Sequence, residues 1–583
     1  MLTELPSEIV VHIAIYLETA TDVLNLSQTC HRLHQVVTTE ESTIFRGFVQ
    51  TKFPGTATPA FWKDAACALT SRSRALDKLG IIGRFVIPSK SITRIGVKDE
   101  TRRDNPTIGY RPAIDSYEIW NGDRWADKKE VLAWGAGHKL VMRTKQSGSN
   151  PQENWFLFNG VENASVYDDI CGVHLLEPEQ SKDVNIQPLI FGRMRGELVH
   201  IALSLNEATH DIRQNFITHG LELERTDLYG GTLAAHFANG CTAFYHAKND
   251  VKDVEPFALI RPEQDTTLQR RYSKLLSESR VAVASGKTQG SLSVSTVAPD
   301  GIRFKHEIDV TALDLDERVC TWAQANTTAI MPLNTCTFTG SQGDVFLAAW
   351  GDGAIRLHDI RSPRSYEAAY RDTTDMNQVY SVHPFGNDHF LAGTGGNALL
   401  KIFDLRMGNT YSYLNGNSPS TTNKLANSVK KKRAHNFSLF LSAHPPIDPS
   451  NPRSRRRRDE SYRGPIYTIS TPSSSSPTAY IGIVDGVVRL DFASTDDLTG
   501  PVKDWYDLNL DLGVDMGQPS VPAAEDKVSR LAGYERPDPD DLSTTAKLRK
   551  QHGFWYPESR DFNEEMTGWD RRWAPIAKPS NWR

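Results

Sequence analysis

Carboxylates that recur at fixed positions are the residues of this chain with the clearest chemical potential, because paired carboxylates can act as general acid and general base. Aspartates recur at a turn and at a strand end of similar segments: Asp352, Asp359, Asp404, Asp485 and Asp491. A catalytic carboxylate is expected once or as one pair, whereas repetition at one structural position favours the bracing of turns. We therefore predict that these aspartates are structural.

Other reactive motifs are missing from the sequence, which has no GxxxxGK[ST], HExxH or GxSxG. The run 393–396, Gly-Thr-Gly-Gly, is interpreted as a turn between strands. His12, His31 and His34 suggest metal binding, but they lack cysteine pairs or carboxylates at ligand spacing, so solvent-facing helix histidines are the better interpretation. The chain is predicted to be non-catalytic, with no cofactor and no metal.

Composition narrows the class of protein further. The net charge of -5 over 583 residues gives no whole-chain argument for binding nucleic acid or a membrane. The six cysteines, at 30, 67, 171, 241, 320 and 336, form no CxxC, so neither a disulfide framework nor a zinc site is predicted. No apolar run is long enough to cross a bilayer. We expect a soluble protein of the cytoplasm, the nucleus or both.

The first 37 residues predict three short helices. Apolar residues follow helical spacing in each of them: Ile9, Val10, Ile13, Tyr16 and Leu17 in the first, Val23, Leu24 and Leu26 in the second, and Cys30, Leu33 and Val37 in the third. Pro6 or Ser7 can start the first helix, and Thr21-Asp22 is a good cap pair for the second. A segment below roughly 40 residues seldom holds a core alone, so the remaining apolar face needs a partner.

At residues 4–37 the sequence resembles an F-box. The matching positions are Leu5-Pro6, Glu8-Ile9, Tyr16-Leu17, Asp22-Val23-Leu24 and Leu26-Ser27-Gln28-Thr29-Cys30. The resemblance implies docking onto the Skp-type adaptor of a cullin-RING (SCF-type) ubiquitin ligase, with the rest of the chain selecting the substrate. The residues that would bind the adaptor are Leu5, Pro6, Ile9, Val10, Ile13, Leu17, Val23, Leu24 and Leu26. The alternative is a helical cap packed on its own protein.

With the F-box placed at residues 1–40, residues 41–80 are predicted to be a helical linker. Ile44, Phe45, Phe48 and Phe53 can pack beneath the F-box, and Phe61, Trp62, Ala65, Ala66 and Leu69 follow helical spacing. Such a linker would hold the two ends of the molecule at a fixed separation. Simple packing against the next domain is the alternative.

From residue 81 to about 515, short β-rich runs recur between glycines, asparagines and aspartates. Three strand-turn-strand units are clear, at 345–361, 379–406 and 466–492, and four are weaker, at 131–143, 188–204, 230–247 and 279–296. The clear units resemble WD repeats, with His358, Phe403 and Leu490 in place of the Trp of the Trp-Asp pair. The fold class is therefore α+β multidomain: an F-box, a helical linker and an all-β propeller of seven blades. Six or eight blades, a β-sandwich or two β domains are the alternatives.

A propeller of this kind would select a protein substrate at its loop faces or central mouth. WD-type F-box proteins that read phosphorylated peptides place arginines just after the first apolar residue of an inner strand. The matching positions in this chain are Tyr380, after Val379, and Tyr467, after Ile466. Tyrosine gives no charge-assisted bonds to phosphate, so a hydrophobic or mixed degron contacting these tyrosines is the expectation.

Three further segments carry predictions. Residues 408–464 are expected to form a mobile insertion, whose basic runs at 430–433 and 453–458 are import signals, nucleic-acid contacts or solvated charge. Residues 502–512 are expected to supply the outer strand of the last blade. The C-terminal extension, 516–583, with Trp555, Trp569, Trp573 and Trp582, is expected to lie across the propeller or to bind another protein. Because no aromatic residues interleave the arginine run, nucleic acid is a less favoured partner, and a nuclear scaffold remains the rival function.

Overall fold

The structure is a computed structural model of the chain. It describes residues 4–56, 61–78, 80–86, 88, 91–97, 110–122, 124–147, 151–178, 185–248, 251–261, 272–285, 290–299, 301–309, 313, 326–333, 342–372, 377–395, 398–408, 410–411, 437–440, 465–484, 486–492 and 528–532. In these residues, helices come first and β-sheets follow. None of the helices described there is both long enough and apolar enough to cross a membrane.

Five helices form the N-terminal helical domain. They are α1 (Ser7–Ile15), α2 (Ala20–Gln28), α3 (His31–Thr39), α4 (Glu41–Lys52) and α5 (Trp62–Lys78). The cap of α2 is Thr19 rather than the predicted Thr21-Asp22 pair. The Thr19 hydroxyl accepts the Asp22 N–H at 3.2 Å, and the Asp22 carboxylate accepts the Thr19 N–H at 3.0 Å. This reciprocal capping box starts the helix two residues earlier than expected.

One hydrophobic core is shared by all five helices. Its buried members are Ala14, Ala20, Val23, Val37, Ile44, Phe45, Phe48, Val49, Ala66 and Leu69. Ile44, Phe45 and Phe48 of α4 are completely buried in it. The three-helix prediction is therefore too short, because α1 to α3 complete their core only with α4 and α5.

The strands form seven sheets, and within each sheet the strand order runs from an innermost strand outward. The first is β3 (Ile114–Trp120), β4 (Lys128–Ala136), β5 (Lys139–Gln146), β6 (Gln152–Asn159) and β2 (Thr93–Gly96). The second is β7 (Ile170–Leu175), β8 (Ile186–Arg193), β9 (Leu198–Ser204), β10 (Thr209–Phe216) and β14 (Asp253–Val254). The third is β11 (Leu223–Tyr229), β12 (Thr232–Phe237), β13 (Thr242–His246) and β15 (Ala258–Ile260).

The other four sheets repeat this order. The fourth is β16 (Tyr272–Ser277), β17 (Arg280–Ala284), β18 (Leu292–Ala298) and β19 (Gly301–Ile308). The fifth is β20 (Thr327–Pro332), β21 (Val345–Trp350), β22 (Ile355–Asp359), β23 (Ala368–Asp372) and β27 (Thr410–Tyr411). The sixth is β24 (Val379–Phe385), β25 (His389–Thr394), β26 (Leu399–Asp404) and β28 (Phe437–Phe440). The seventh is β29 (Thr468–Ser470), β30 (Thr478–Ile483), β31 (Gly486–Phe492), β1 (Gly80–Val86) and β32 (Val528–Ala532).

The seven sheets are the blades of one closed propeller. Each innermost strand contacts the innermost strand of the next blade, and β29 of the seventh contacts β3 of the first. Each of the seven repeat units predicted from the sequence supplies strands of one blade, so the seven-bladed prediction is confirmed. We call the face where the innermost strands begin the upper face, and the face where they end the lower face.

The ring is closed by a strand from the N-terminal side of the chain. β1 pairs antiparallel with β31, from Ile81 opposite Phe492 to Val86 opposite Val487. The prediction that 502–512 supplies this outer strand is wrong, because β1 occupies the place beside β31; residues 502–512 lie outside the described residues. β32, which belongs to the predicted C-terminal extension, pairs with the other edge of β1.

The predicted insertion also contributes to the blades. Phe437–Phe440 forms β28, which pairs antiparallel with β26, and Thr410–Tyr411 forms β27 beside β23. An insertion spanning all of 408–464 is therefore wrong, because the sixth blade takes its outer strand from within that range. Both basic runs and the four C-terminal tryptophans lie outside the described residues.

Asp352, Asp359 and Asp404, three of the recurring aspartates, accept hydrogen bonds from arginine side chains. Asp352 is completely buried and accepts hydrogen bonds from Arg356 at 2.8 Å and Arg371 at 2.5 Å. Asp359 and Asp404 each bind the arginine two residues later, at 2.7 Å, and so close the turn that ends their strand. These contacts give the aspartates the bracing role that repetition predicts.

The other two recurring aspartates are Asp485 and Asp491. Asp491 is buried, accepts a hydrogen bond from the Thr478 hydroxyl at 2.7 Å and pairs with Arg489. Asp485 lies outside the described residues.

Candidate protein-binding surfaces

An apolar surface lies open on α1. Ile9 is 46% exposed and Tyr16 is 58% exposed, although both are large apolar side chains. They lie on one face of the helix together with Ile13, because the spacings of four and three residues bring these positions into line. Leu5 and Pro6 precede α1 and Leu17 follows it, and these three residues are exposed or half-buried. We call these six residues the α1 surface.

The α1 surface differs from the predicted adaptor-binding set at several positions. Val10 and Val23 are buried, with exposures of 1% and 0%, so both support the helical domain from within and cannot meet a partner in this conformation. Leu24 and Leu26 are half-buried against the same core, and so is Leu17 at the edge of the α1 surface. Tyr16 was not in the predicted set, although its place three residues after Ile13 was a signal that could have found it.

The helical domain is fixed to the lower face of the propeller by α5. Arg72, which is 3% exposed, donates hydrogen bonds to the Ser474 carbonyl at 2.7 Å and the Ser476 carbonyl at 3.1 Å. Its guanidinium carbon lies 5.4 Å from the centre of the Phe385 ring. Burial lowers the pKa of Arg72 to about 10, while the carboxylates of Glu118 and Asp388 act in the opposite direction. This buried arginine therefore joins α5 to the sixth and seventh blades.

A channel of about 1970 Å³ runs through the centre of the propeller. The innermost strands of all seven blades line it, and so do both predicted substrate-binding residues, Tyr380 and Tyr467. Both tyrosines lie at the upper face, where β24 and β29 begin. Gly395 makes room for Tyr380, since a Cβ at that glycine would lie only 2.3 Å from the tyrosine ring. The sequence therefore placed these two side chains in the channel lining, although 87 positions separate them.

Two arginines at the channel mouth were missed by sequence reasoning. The Arg111 guanidinium lies 5.1 Å from the Tyr467 ring centre, and the Arg225 guanidinium lies 4.2 Å from the Tyr272 ring centre. Each arginine comes from a different blade than its tyrosine, so no local pattern reveals the pairs. Stacking on an aromatic face leaves guanidinium N–H groups free for other partners.

A ring of titratable groups lies deeper in the channel, and we call it the channel waist: Asp115, His174, Asp227, Lys274 and His383. Lys274 donates a hydrogen bond to Asp227 at 2.5 Å. His174 shares a hydrogen bond of 2.8 Å with the Thr226 hydroxyl, and His383 shares one of 2.8 Å with the Thr471 hydroxyl. Burial lowers the pKa of each histidine to about 4, so both are neutral at pH 7.

Asp115 is the second carboxylate of the channel waist. Its carboxylate accepts the Leu175 N–H at 2.7 Å and the Ser116 N–H at 2.9 Å. Burial raises its pKa to about 6, although these two bonds and the charge of Lys274 act to lower it. Among the described residues, no cationic side chain forms an ion pair with this carboxylate.

Comparison with known proteins identifies the N-terminal part of the chain. Residues 2–46 match the F-box-like family. The match extends past the predicted boundary at residue 40 into α4, in agreement with the core that α4 shares with α1 to α3. No curated protein matches the chain. The chain thus has an F-box-like domain followed by a seven-bladed β-propeller.

Proposed function

We propose that this protein is the substrate-recognition subunit of an SCF-type cullin-RING ubiquitin ligase. The F-box-like domain binds a Skp-type adaptor through the α1 surface, and the propeller, a degenerate WD-repeat ring, binds the protein substrate. The observation that carries the proposal is the exposure of Ile9 and Tyr16 on a domain that matches the F-box-like family. Exposed apolar side chains at this density mark a site that a partner covers.

The mechanism of such a subunit is positional. Holding a substrate lysine beside the loaded carrier enzyme raises its effective concentration, so the subunit itself needs no reactive group. The α1 surface belongs to the domain on the lower face, and the channel mouth opens on the upper face. Adaptor and substrate would then bind on opposite sides of the propeller, which supports simultaneous binding.

The test is affinity purification with mass spectrometry, in cells, of the intact chain and a variant of the α1 surface. Deleting residues 1–40 would expose Ile44, Phe45 and Phe48, so a point substitution, Ile9→Asp, is the better comparison. We expect a Skp-type adaptor and a cullin to co-purify with the intact chain and to be lost with the variant. Recovery of neither subunit with the intact chain would rule out the ligase function.

Arg72→Ala is expected to slow ubiquitin transfer while both binding partners are still recovered. Removing the side chain removes the hydrogen bonds that Arg72 donates to the Ser474 and Ser476 carbonyls and loosens the contact between α5 and the blades. A reconstituted ligase should transfer ubiquitin to its substrate about 3- to 10-fold more slowly, since transfer depends on orientation.

The matched control for this substitution is Arg364→Ala, because that side chain is 73% exposed and, within the described part of the chain, forms an ion pair only with Glu367, at 3.5 Å. Its transfer rate should equal that of the unchanged protein. An unchanged rate for Arg72→Ala would show that the α5 contact does not set the geometry of transfer.

The double substitution Tyr380→Ala and Tyr467→Ala is expected to reduce recovery of substrate proteins by about tenfold, because two aromatic contacts at the channel mouth are lost. Quantitative mass spectrometry of the purified complexes measures this. Tyr16→Ala is the matched control, since it should weaken adaptor binding and leave substrate recovery unchanged. Full recovery of substrates by the double variant would remove the tyrosines from the substrate-binding surface.

A further inference from the structure

The channel waist carries a carboxylate, Asp115, with which no cationic side chain of the described residues forms an ion pair. Lys274 is already held by Asp227, which also accepts the Leu275 N–H at 2.7 Å. The two histidines of the waist are neutral at pH 7 because burial lowers their pKa. Asp115 is thus the remaining charged group, and its only hydrogen-bond donors among the described residues are two backbone N–H groups.

Among the described residues, this carboxylate has no cationic partner with which to form an ion pair. The raised pKa of Asp115, about 6, reports that burial outweighs the stabilisation that its two N–H donors and Lys274 provide. A cation placed beside it would favour the ionised form and gain a charge-assisted hydrogen bond. The carboxylate faces a channel of about 1970 Å³, which is large enough to admit a side chain from outside.

The position of Asp115 along the channel fits a long side chain. The hydroxyls of Ser116 and Ser470 lie 2.8 Å apart, and the Thr468 hydroxyl lies 2.6 Å from the Pro112 carbonyl, so these contacts align β29 with β3. Asp115 therefore lies two to four residues below Tyr467, which corresponds to roughly 7 to 13 Å of strand. A peptide backbone at the mouth and an extended basic side chain together span that depth.

We propose that the propeller channel takes a lysine or arginine side chain of the substrate peptide, with Asp115 as the carboxylate that receives it. This rests on the proposed function of the propeller as the substrate-binding part. The peptide enters from the upper face, passes Tyr380 and Tyr467, and places its cation at the channel waist.

The charged side chains at the channel mouth also affect which residues are favoured on either side of the lysine or arginine in the peptide. Arg111 and Arg225 stack on tyrosine rings, and neither forms an ion pair with a carboxylate among the described residues. Their charge disfavours a uniformly basic peptide and favours acidic residues at the rim. The occupant is thus a mixed-charge segment: a basic residue in the channel, flanked by acidic residues at the mouth.

Fluorescein-labelled heptapeptide pools test this proposal by fluorescence polarisation with the purified full chain. The pools carry glutamate at both ends, randomised small residues between, and lysine, arginine or norleucine at the centre. The lysine and arginine pools should bind about tenfold more tightly than the norleucine pool, because norleucine keeps the aliphatic stem without the charge. Equal affinities, or no binding by any pool, would overturn the proposal.

Asp115→Asn separates recognition from a merely structural role. The amide oxygen can still accept one backbone N–H, so the fold is retained, and thermal unfolding checks this. The variant should bind the lysine pool only as well as the norleucine pool. Asp253→Asn, which removes an exposed carboxylate on β14, should change nothing. Retained preference for lysine in Asp115→Asn would overturn the proposal.

The outcomes also separate this inference from the proposed function. Adaptor binding through the α1 surface involves no residue of the channel, so Asp115→Asn should co-purify with adaptor and cullin as the intact chain does. Equal binding of all peptide pools by the intact chain contradicts the channel site alone. Absence of adaptor and cullin from the intact chain contradicts the ligase function and leaves the peptide measurement valid by itself.

Discussion

Ile9→Asp is expected to lower adaptor affinity at least about 100-fold. Burying an isoleucine side chain is worth about 1.5 to 3 kcal/mol, and a carboxylate forced into the same interface costs several kcal/mol more. Because about 1.4 kcal/mol is a factor of ten in affinity, the two effects together exceed 100-fold. Isothermal titration calorimetry of the purified chain with a Skp-type adaptor measures the change. The propeller should remain folded, since Ile9 is 46% exposed and lies outside the shared core.

The matched control is Ile212→Asp. Ile212 is 47% exposed and lies on β10 of the second blade, in the propeller rather than the helical domain. The substitution changes size and charge in the same way as Ile9→Asp. Its adaptor affinity should equal that of the unchanged protein. If Ile9→Asp and Ile212→Asp bind the adaptor equally well, the α1 surface is not the binding site. The buried positions Val10 and Val23 are unsuitable for this test, because charge there would unfold the domain.

The blades were predictable because their second and third strands are adjacent in sequence. In Val345–Trp350 and Ile355–Asp359, nearly every side chain is buried, so the units read as apolar runs around a tight turn. Gly353 has a φ of 74°, which is the conformation that such a turn requires of a glycine. The local pattern therefore predicts the strands of each blade without information about how the blades close into a ring.

The closing strand was not predictable by the same means. β1 pairs with a strand more than 400 positions away, and its partner at residues 486–492 carries the same apolar pattern as other third strands. Which segment completes the last blade depends on the ring and on where α5 delivers the chain. For the same reason, no local pattern predicts the Arg111 contact with Tyr467 or the hydrogen bond from the Leu175 N–H to Asp115, since both join separate blades.

The seam between the first and last blades depends on a buried ion pair. Glu130 on β4 accepts a hydrogen bond from Arg143 at 2.7 Å, and the Tyr480 hydroxyl of β30 donates to the same carboxylate. Glu130→Ala is expected to lower the free energy of unfolding by about 3 to 5 kcal/mol, because it leaves the buried guanidinium without its counter-charge. Urea unfolding measures the loss. Glu41→Ala breaks an exposed pair with Lys63 at 2.6 Å and should cost no more than about 1 kcal/mol.

The pH dependence provides an independent test of the same pair. Burial alone would raise the pKa of Glu130, but Arg489, Arg143 and Lys128 together lower it to about 2. A depressed carboxyl pKa stabilises the fold fully above the unfolded value of about 4.3, and that contribution is lost as pH falls toward 2. Acidification from about pH 5 to about pH 3 should therefore destabilise the unchanged protein more than Glu130→Gln. Equal acid sensitivity of the two proteins would mean that this carboxylate does not hold the seam as an ion.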